Sequence, residues 1–258
     1  MAANVTLLLD SDIIAYKFAS AAQKDFDWDG DGEKATAVED IADVAPQVEA
    51  YVDDLVEKLK ADDLIVCLSC PSDENFRYKV LPRYKHNRVG KAKPVLLQAV
   101  KEWMRERYPT YERPTLEADD IMGILSTHPK LVPGTKIIVS EDKDLKTIPG
   151  LIFNPRKDEK PRRVSEEQAD YFHLYQTLIG DTTDGYKGCP GIGPTKAQKI
   201  LQPDSHPEHQ CHRWKYVVKA YESKGLTEED ALVQARVARI CRFTDYDFKK
   251  KEVILWTP

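Results

Sequence analysis

Carboxylates stand in four groups along this 258-residue chain, each where a fold can present it. Asp10 closes the apolar run of residues 5–9, which reads as a buried strand delivering an acid at its carboxyl end. Glu117, Asp119 and Asp120 head a helical segment over 121–126, whose amino-terminal dipole favours ionised acids. Asp142 and Asp144 follow a second apolar strand at 136–139, and Asp181 and Asp184 precede a turn at 188–194. Helix capping explains one such group. Four groups ask for more, because like charges packed together cost free energy unless cations neutralise them, so convergence implies bound divalent metal. All-oxygen donors favour Mg²⁺ or Mn²⁺ over zinc. Two such ions about 4 Å apart can activate water and stabilise the leaving oxygen in phosphodiester hydrolysis.

The turn itself, GCPGIGP, opens into a short basic amphipathic segment at 195–201. Gly188, Gly191 and Gly193 let backbone approach a phosphate, and helix amides with Lys196 and Lys199 can hold it without reading bases. Taken alone, this is equally a loop between two helices. A second basic element lies upstream: residues 77–93 carry Arg77, Lys79, Arg83, Lys85, Arg88, Lys91 and Lys93 and no acid. Phe76, Tyr78, Tyr84 and His86 interleave with them, a mixture suited to phosphate contact and base stacking. The alternative is a solvated basic face. The net charge of −5 hides this polarity, since residues 1–63 carry −11 and the rest +6.

Length and composition are those of a soluble globular protein with a sizeable core, and no apolar run approaches the roughly 18 residues of a membrane span. Two aspartates follow too soon after the first residues for a signal peptide, so the chain is expected to stay where it is made. Five scattered cysteines fit reduced thiols. Cys67 and Cys70, with His206, His209, Cys211 and His212, lack regular zinc spacing. Asp27, Asp29, Asp31 and Gly32 begin like a calcium loop, but Val38 stands where the bidentate acid is needed.

The elements that must position these residues alternate. A helix over 13–22 follows the first strand, an amphipathic helix at 48–60 feeds a strand at 64–69, and another helix spans 94–108. The expected class is α/β, a central mostly parallel sheet flanked by helices. The end of the chain, 252–256, has no clear pattern.

In this order LLLDSD, FRYKVLPRYKHNR, LEADD, VSEDKDL and IGDTTDGYKGCPGIGPTKA resemble the flap endonuclease/5′→3′ exonuclease family over nearly the whole chain. ARICRFTDYDFKKKEVILW further resembles the exonuclease of short-tailed, T-seven-type bacteriophages. The resemblance implies a first metal held by Asp10, Glu117, Asp119 and Asp120, and a second by Asp142, Asp144, Asp181 and Asp184. It makes residues 76–93 a helical arch in which Lys85 and Arg88 face the scissile phosphate, with Tyr84 stacking on an unpaired base and Arg77, Lys79 and Arg83 on DNA. It makes 188–194 with Lys196 and Lys199 a helix-three-turn-helix that holds duplex and a potassium ion. The nuclease core would span 1–178 and the DNA-binding region with a C-terminal extension 179–258. The family has an aspartate just after its second strand; here Ser69 and Cys70 stand there and Asp73 is the nearest acid.

The expected activity is metal-dependent hydrolysis near a DNA 5′ end, on duplex, flap or RNA-primed substrates, giving 5′-phosphorylated products, by a cytoplasmic monomer serving phage replication. Two alternatives stay open: a PIN-type single-strand ribonuclease, which has no need of the glycine turn, and a non-catalytic DNA-binding protein, which leaves the acids without a purpose.

Overall fold

The computed structural model describes residues 4–26, 35–201 and 213–258. The acidic stretch 27–33 and the His206, His209, Cys211 and His212 group lie outside them. Leu7, Leu8 and Leu9 are fully buried in β1 (Val5–Asp10), as a central strand covered on both faces requires. Asp10 then caps α1 (Ser11–Ala21), its Oδ1 accepting the Ile13 amide at 3.2 Å. An antiparallel pair, β2 (Gln23–Phe26) and β3 (Ala35–Val38), precedes α2 (Ile41–Leu59), β4 (Asp63–Cys67), α3 (Arg77–Val80) and α4 (Leu97–Arg107). Next come β5 (Thr110–Tyr111), α5 (Ala118–Thr127), β6 (Thr135–Val139), β7 (Gly150–Phe153) and β8 (Arg162–Val164). Four helices follow, α6 (Glu166–Ile179), α7 (Pro194–Leu201), α8 (Arg213–Glu222) and α9 (Glu228–Ala238), and then the short pair β9 (Tyr246–Asp247) and β10 (Glu252–Val253).

The main sheet runs β5-β4-β1-β6-β7-β8, parallel throughout except for the antiparallel edge β8. This is the mostly parallel α/β sheet expected from the sequence. The chain moves outward from β1 in both directions, so the crevice at the carboxyl end of β1 is a topological switch point, where open α/β sheets bind their ligands. Strand alternation divides the core: Leu7 and Leu9 face α1, α2 and α4, while Leu8 faces α5 and the C-terminal segment with Ile240, Cys241 and Tyr246. A third core, with Leu174, Leu178, Leu201 and Tyr221, unites the last four helices. Of these, α6 crosses position 178.

Two elements differ most from their expected bounds. Helix α2 starts seven residues before the apolar spacing suggests, because Asp40 caps the Ala42 amide at 2.8 Å and the helix runs through Pro46. The stretch expected to form a helical arch holds α3 and a 3-10 turn at His86–Arg88, between Pro82 and Pro94, and packs down on the carboxyl edge of the sheet. Among the described residues no helix is long and apolar enough to cross a membrane.

His173 of α6 is buried in the helical region, its Nε2 2.8 Å from the Ala235 carbonyl. Burial, with Arg239 adding, drives its pKa from 6.5 down to about 3. The unfolded chain therefore takes up the proton first. Stability is whole above pH 6.5 and drains away as pH falls toward 3, by up to about 4 kcal/mol. Urea titrations between pH 7 and 4 check this: His173→Gln flattens the fall, and an identical pH slope in that variant contradicts it.

Candidate active site

Four segments bring the acids to the switch point. Strand β1 ends in Asp10, which is 3% exposed and accepts a hydrogen bond from Ser140 Oγ at 2.6 Å. Helix α5 begins beside it with Glu117 and Asp119, fixed to the end of β4 where the Ala118 amide donates to Ser69 Oγ at 2.9 Å. Beyond β6, Ser140 Oγ also accepts the Asp142 amide, and Asp142 Oδ1 accepts the Asp144 amide at 2.8 Å, a chain of turns that folds both acids back over the strand end. Asp181 and Asp184 close the far side from the turn after α6, where Asp181 bridges Tyr186.

The charges bear on one another. Burial raises Asp10 to about 7, with Asp12 and Asp142 adding and Ser140 opposing. Burial raises Asp119 well above its usual value, and Asp10, Asp142 and Glu117 push it further. Asp144 rises to about 7 through burial and the charges of Asp142, Asp181 and Asp184. Asp119 beside Asp10, and Asp144 beside Asp142, are carboxylates that cannot comfortably ionise together and so are donors for hard cations. Asp144 Oδ1 is, in addition, buried without a hydrogen-bond partner among the described residues. Among the described residues no three His, Cys, Asp or Glu side chains are arranged to hold a metal ion as they stand, and protein cations sit between the acids. Lys85 Nζ pairs with Glu117 and lies 3.8 Å from Asp184, Arg88 Nη2 is 2.7 Å from Asp184, and Lys143 Nζ is 3.0 Å from Asp181. Burial would raise Glu117, but Lys85 and Arg77 outweigh it and hold it near 2. Lys143 and the Thr183 amide likewise keep Asp181 below its usual value against burial. Burial leaves Asp184 raised although Lys85 and Arg88 lie beside it.

The structure corrects several residue roles. Asp120 is fully buried and both of its oxygens are spent. Arg77 binds it at 2.7 and 2.8 Å, and the amides of Glu117 and Cys241 complete the shell at 3.1 and 3.0 Å. No lone pair faces the crevice, so Asp120 is no metal ligand here. Arg77 is 2% exposed and also donates to Glu117 and to the carbonyls of Val237 and Arg239, so it is a structural ion pair rather than a DNA contact. Tyr84 is 2% exposed, its Oη donating to Glu117 at 2.8 Å, so its ring meets no base. Asp73 is exposed in a 3-10 turn, Ser72–Glu74, and makes no hydrogen bond or ion pair with the acids among the described residues. Lys79 and Arg83 are exposed, as are Gly191, Gly193, Lys196 and Lys199 around the amino end of α7. Lys196 Nζ donates to the Gly191 carbonyl at 3.0 Å.

Gly188 is a packing glycine. It is buried at φ +64°, its amide donates to Gln234, and a Cβ there would meet the Gly180 amide nitrogen at 2.3 Å. Gly191, at φ +72°, has open space around its Cβ position. Gly188→Ala is thus expected to destabilise the helical region by several kcal/mol and Gly191→Ala by only about 1 kcal/mol. Equal losses of thermal stability in the two variants would contradict this reading.

Ser140, Lys143 and Asn87 escaped the sequence analysis. Asn87 Nδ2 donates to the carbonyls of Thr182 and Thr183, joining the basic segment to the Asp181 turn. Lys143 stands in the SEDKD run, where acids draw the eye.

The family model for the 5′-3′ exonuclease N-terminal resolvase-like domain matches residues 5–154. The chain is 32% identical to the exonuclease of Escherichia phage T7, covering 98% of this chain and 93% of that protein. It is 30% identical to the exodeoxyribonuclease of Enterobacteria phage T3, covering 98% and 92%. Its fold matches a bacteriophage T5 protein co-crystallised with metal ions, with a TM-score of 0.63 at 17% identity over 91% of this chain and 88% of that one. A bacteriophage T5 flap endonuclease in a complex with DNA and metal ions matches at TM-score 0.62, also at 17% identity over 91% and 88%. With acids gathered at the switch point of a resolvase-like sheet and relatives alike over almost their full length, the chain belongs to the 5′→3′ exonuclease family of nucleases.

Proposed function

We propose that this protein is a divalent-metal-dependent DNA nuclease that engages a free 5′ end and hydrolyses phosphodiesters near it, leaving 5′-phosphorylated products. The observation that carries this reading is the crowding of buried Asp10, Asp119 and Asp144 around Asp142 at the carboxyl edge of the sheet, where the Asp142 charge adds to burial in raising all three. Asp10, Glu117 and Asp119 would hold one cation, and Asp142, Asp144, Asp181 and Asp184 a second. Bound Mg²⁺, with Mn²⁺ able to substitute, supplies Lewis acidity and a lowered water pKa for hydrolysis.

The chain's own residues do the rest. Lys85 and Arg88 are paired with Glu117 and Asp184; were those carboxylates to hold cations, the two side chains would be free to turn their charge on the scissile phosphate. Lys79 and Arg83 extend the positive face along the strand. The exposed backbone at Gly191 and Gly193, with Lys196 and Lys199, grips the duplex and offers carbonyls to a potassium ion, as a helix-three-turn-helix does. Residues 1–178 would then be the nuclease core and 179–258 the DNA-binding region. The phage T3 relative, an exodeoxyribonuclease, supports DNA as substrate, and the T5 flap endonuclease complex supports both DNA and metal ions as partners. The protein would act as a monomer in the cytoplasm of a bacterial host.

A panel of labelled substrates tests it: blunt duplex DNA, a 5′ flap, single-stranded DNA and single-stranded RNA, each with Mg²⁺. Short products from the 5′ end of duplex or flap DNA are expected. Cutting confined to single-stranded RNA would overturn the reading in favour of a ribonuclease.

A further inference from the structure

Outside the acid crevice, a cavity of about 480 Å³ opens between β8, the amino half of α6 and the start of α8. Its size is that of small-ligand sites, roughly 300–1,000 Å³. Four cations reach it: Lys146, Arg162, Arg163 and Arg213. The one acid in its wall, Glu167, is engaged by Arg213 Nη2 at 3.1 Å. Two aromatic rings, Tyr171 and Phe172, form the other wall, and each lies in stacked geometry with Tyr175, with centroids 6.4 and 5.9 Å from it. Charged residues on an edge strand such as β8 also discourage pairing with other strands. That role leaves two things unexplained. The Arg213 side chain is only 11% exposed, yet its buried Nε has no hydrogen-bond partner among the described residues, and its guanidinium stands 5.4 Å from the Tyr171 ring centre. A buried unpaired donor costs free energy that an arriving anion would recover.

Rings beside a fork of guanidinium donors suit one chemistry, a base on the ring with its phosphate on the cations. Lys146 belongs to the 3-10 turn Asp144–Thr147, two residues after Asp144, so this wall and the acid crevice share a rigid element. We propose that this cavity is a second nucleic-acid site, which seats one nucleotide of a strand outside the acid crevice. It takes its substrate class from the nuclease reading, but its residues are separate from those that would cut.

The test is fluorescence anisotropy with a fluorescein-labelled single-stranded oligodeoxynucleotide in EDTA across a salt series, using the full chain. The double variant Lys146→Ala/Arg163→Ala removes two exposed cations. Binding is expected to weaken about five-fold or more, and the slope of log affinity against log salt to become shallower by about 0.7, the loss of one phosphate contact. Tyr171→Leu should weaken binding about ten-fold with the slope unchanged, the mark of a lost stack. Deoxyadenosine monophosphate separates the two sources of a nucleotide: competition that the double variant loses means the site also accepts a free nucleotide, and none means it holds one only within a strand. Wild-type affinity and slope in both variants would overturn the site. Cleavage by the wild-type protein in Mg²⁺ is scored in parallel, so failure of this site and failure of the nuclease reading give different results.

Discussion

Arg77→Ala is expected to lower the stability of the protein by about 3–5 kcal/mol, the largest loss of any single substitution considered. The ground is the enclosure of the pair. Arg77 and Asp120 are 2% and 0% exposed, joined through both guanidinium nitrogens, and the remaining donors of Arg77 go to Val237, Arg239 and Glu117. Removing the cation leaves a carboxylate deep in the core and frees two carbonyls at the end of α9. An isolated charge there is far more costly than the pair is favourable. Replacing both partners with apolar side chains, Arg77→Met with Asp120→Leu, should recover much of the loss, since the penalty comes from orphaning one charge. Urea denaturation of the two variants measures both effects. A loss below about 1 kcal/mol for Arg77→Ala would return Arg77 to the surface, where the sequence first suggested it.

Asp144→Asn is expected to move activity and stability in opposite directions. The Asp144 carboxyl titrates near 7 in the folded chain because burial and Asp142 oppose its charge, whereas an unfolded aspartate titrates near 3.8. In EDTA, then, the folded state pays for this charge as pH rises from about 4 through 7, and the neutral amide avoids the penalty. The variant should be more stable than the wild type at pH 8 without metal, by about 1–3 kcal/mol. Mg²⁺ should stabilise the wild type more than the variant, which keeps the residues of the first cation site but loses a donor of the second. Cleavage should fall by roughly 10³-fold or more, on the scale of losing a preorganised electrostatic group. Asp142→Asn should likewise stop cutting while leaving DNA binding largely intact. Thermal denaturation with and without Mg²⁺, beside a cleavage time course, tests this. Full activity in Asp144→Asn would remove that residue from the site.

The scaffold of the site was legible because its signals are local. Apolar runs ending in acids mark β1 and β6, and a parallel sheet turns such ends into one crevice. What could not be read was which member of an acid group faces it. Asp119 and Asp120 are sequence neighbours on α5, and adjacent helical positions point about 100° apart. One therefore looks into the crevice and the other into the core, toward an arginine 43 residues away. The basic segment failed in the same manner: Arg77, Tyr84 and Lys85 have the composition of a nucleic-acid face, but whether such a residue meets solvent or a carboxylate depends on contacts between distant segments. Gly188 was recognised as a special turn residue, yet the approach of Gly180 that makes it necessary is set by the packing of α6 against the turn.

The central claim is that the crevice at the end of β1 cuts DNA from its 5′ end with bound divalent cations. Mass spectrometry of the products from a duplex carrying distinct labels at each end, with Mg²⁺ and then with EDTA, tests it most directly. The account predicts 5′-phosphorylated fragments arising first from the 5′-labelled terminus, and none once EDTA is added. Fragments carrying 3′-phosphates, or release that continues unchanged in EDTA, would contradict it.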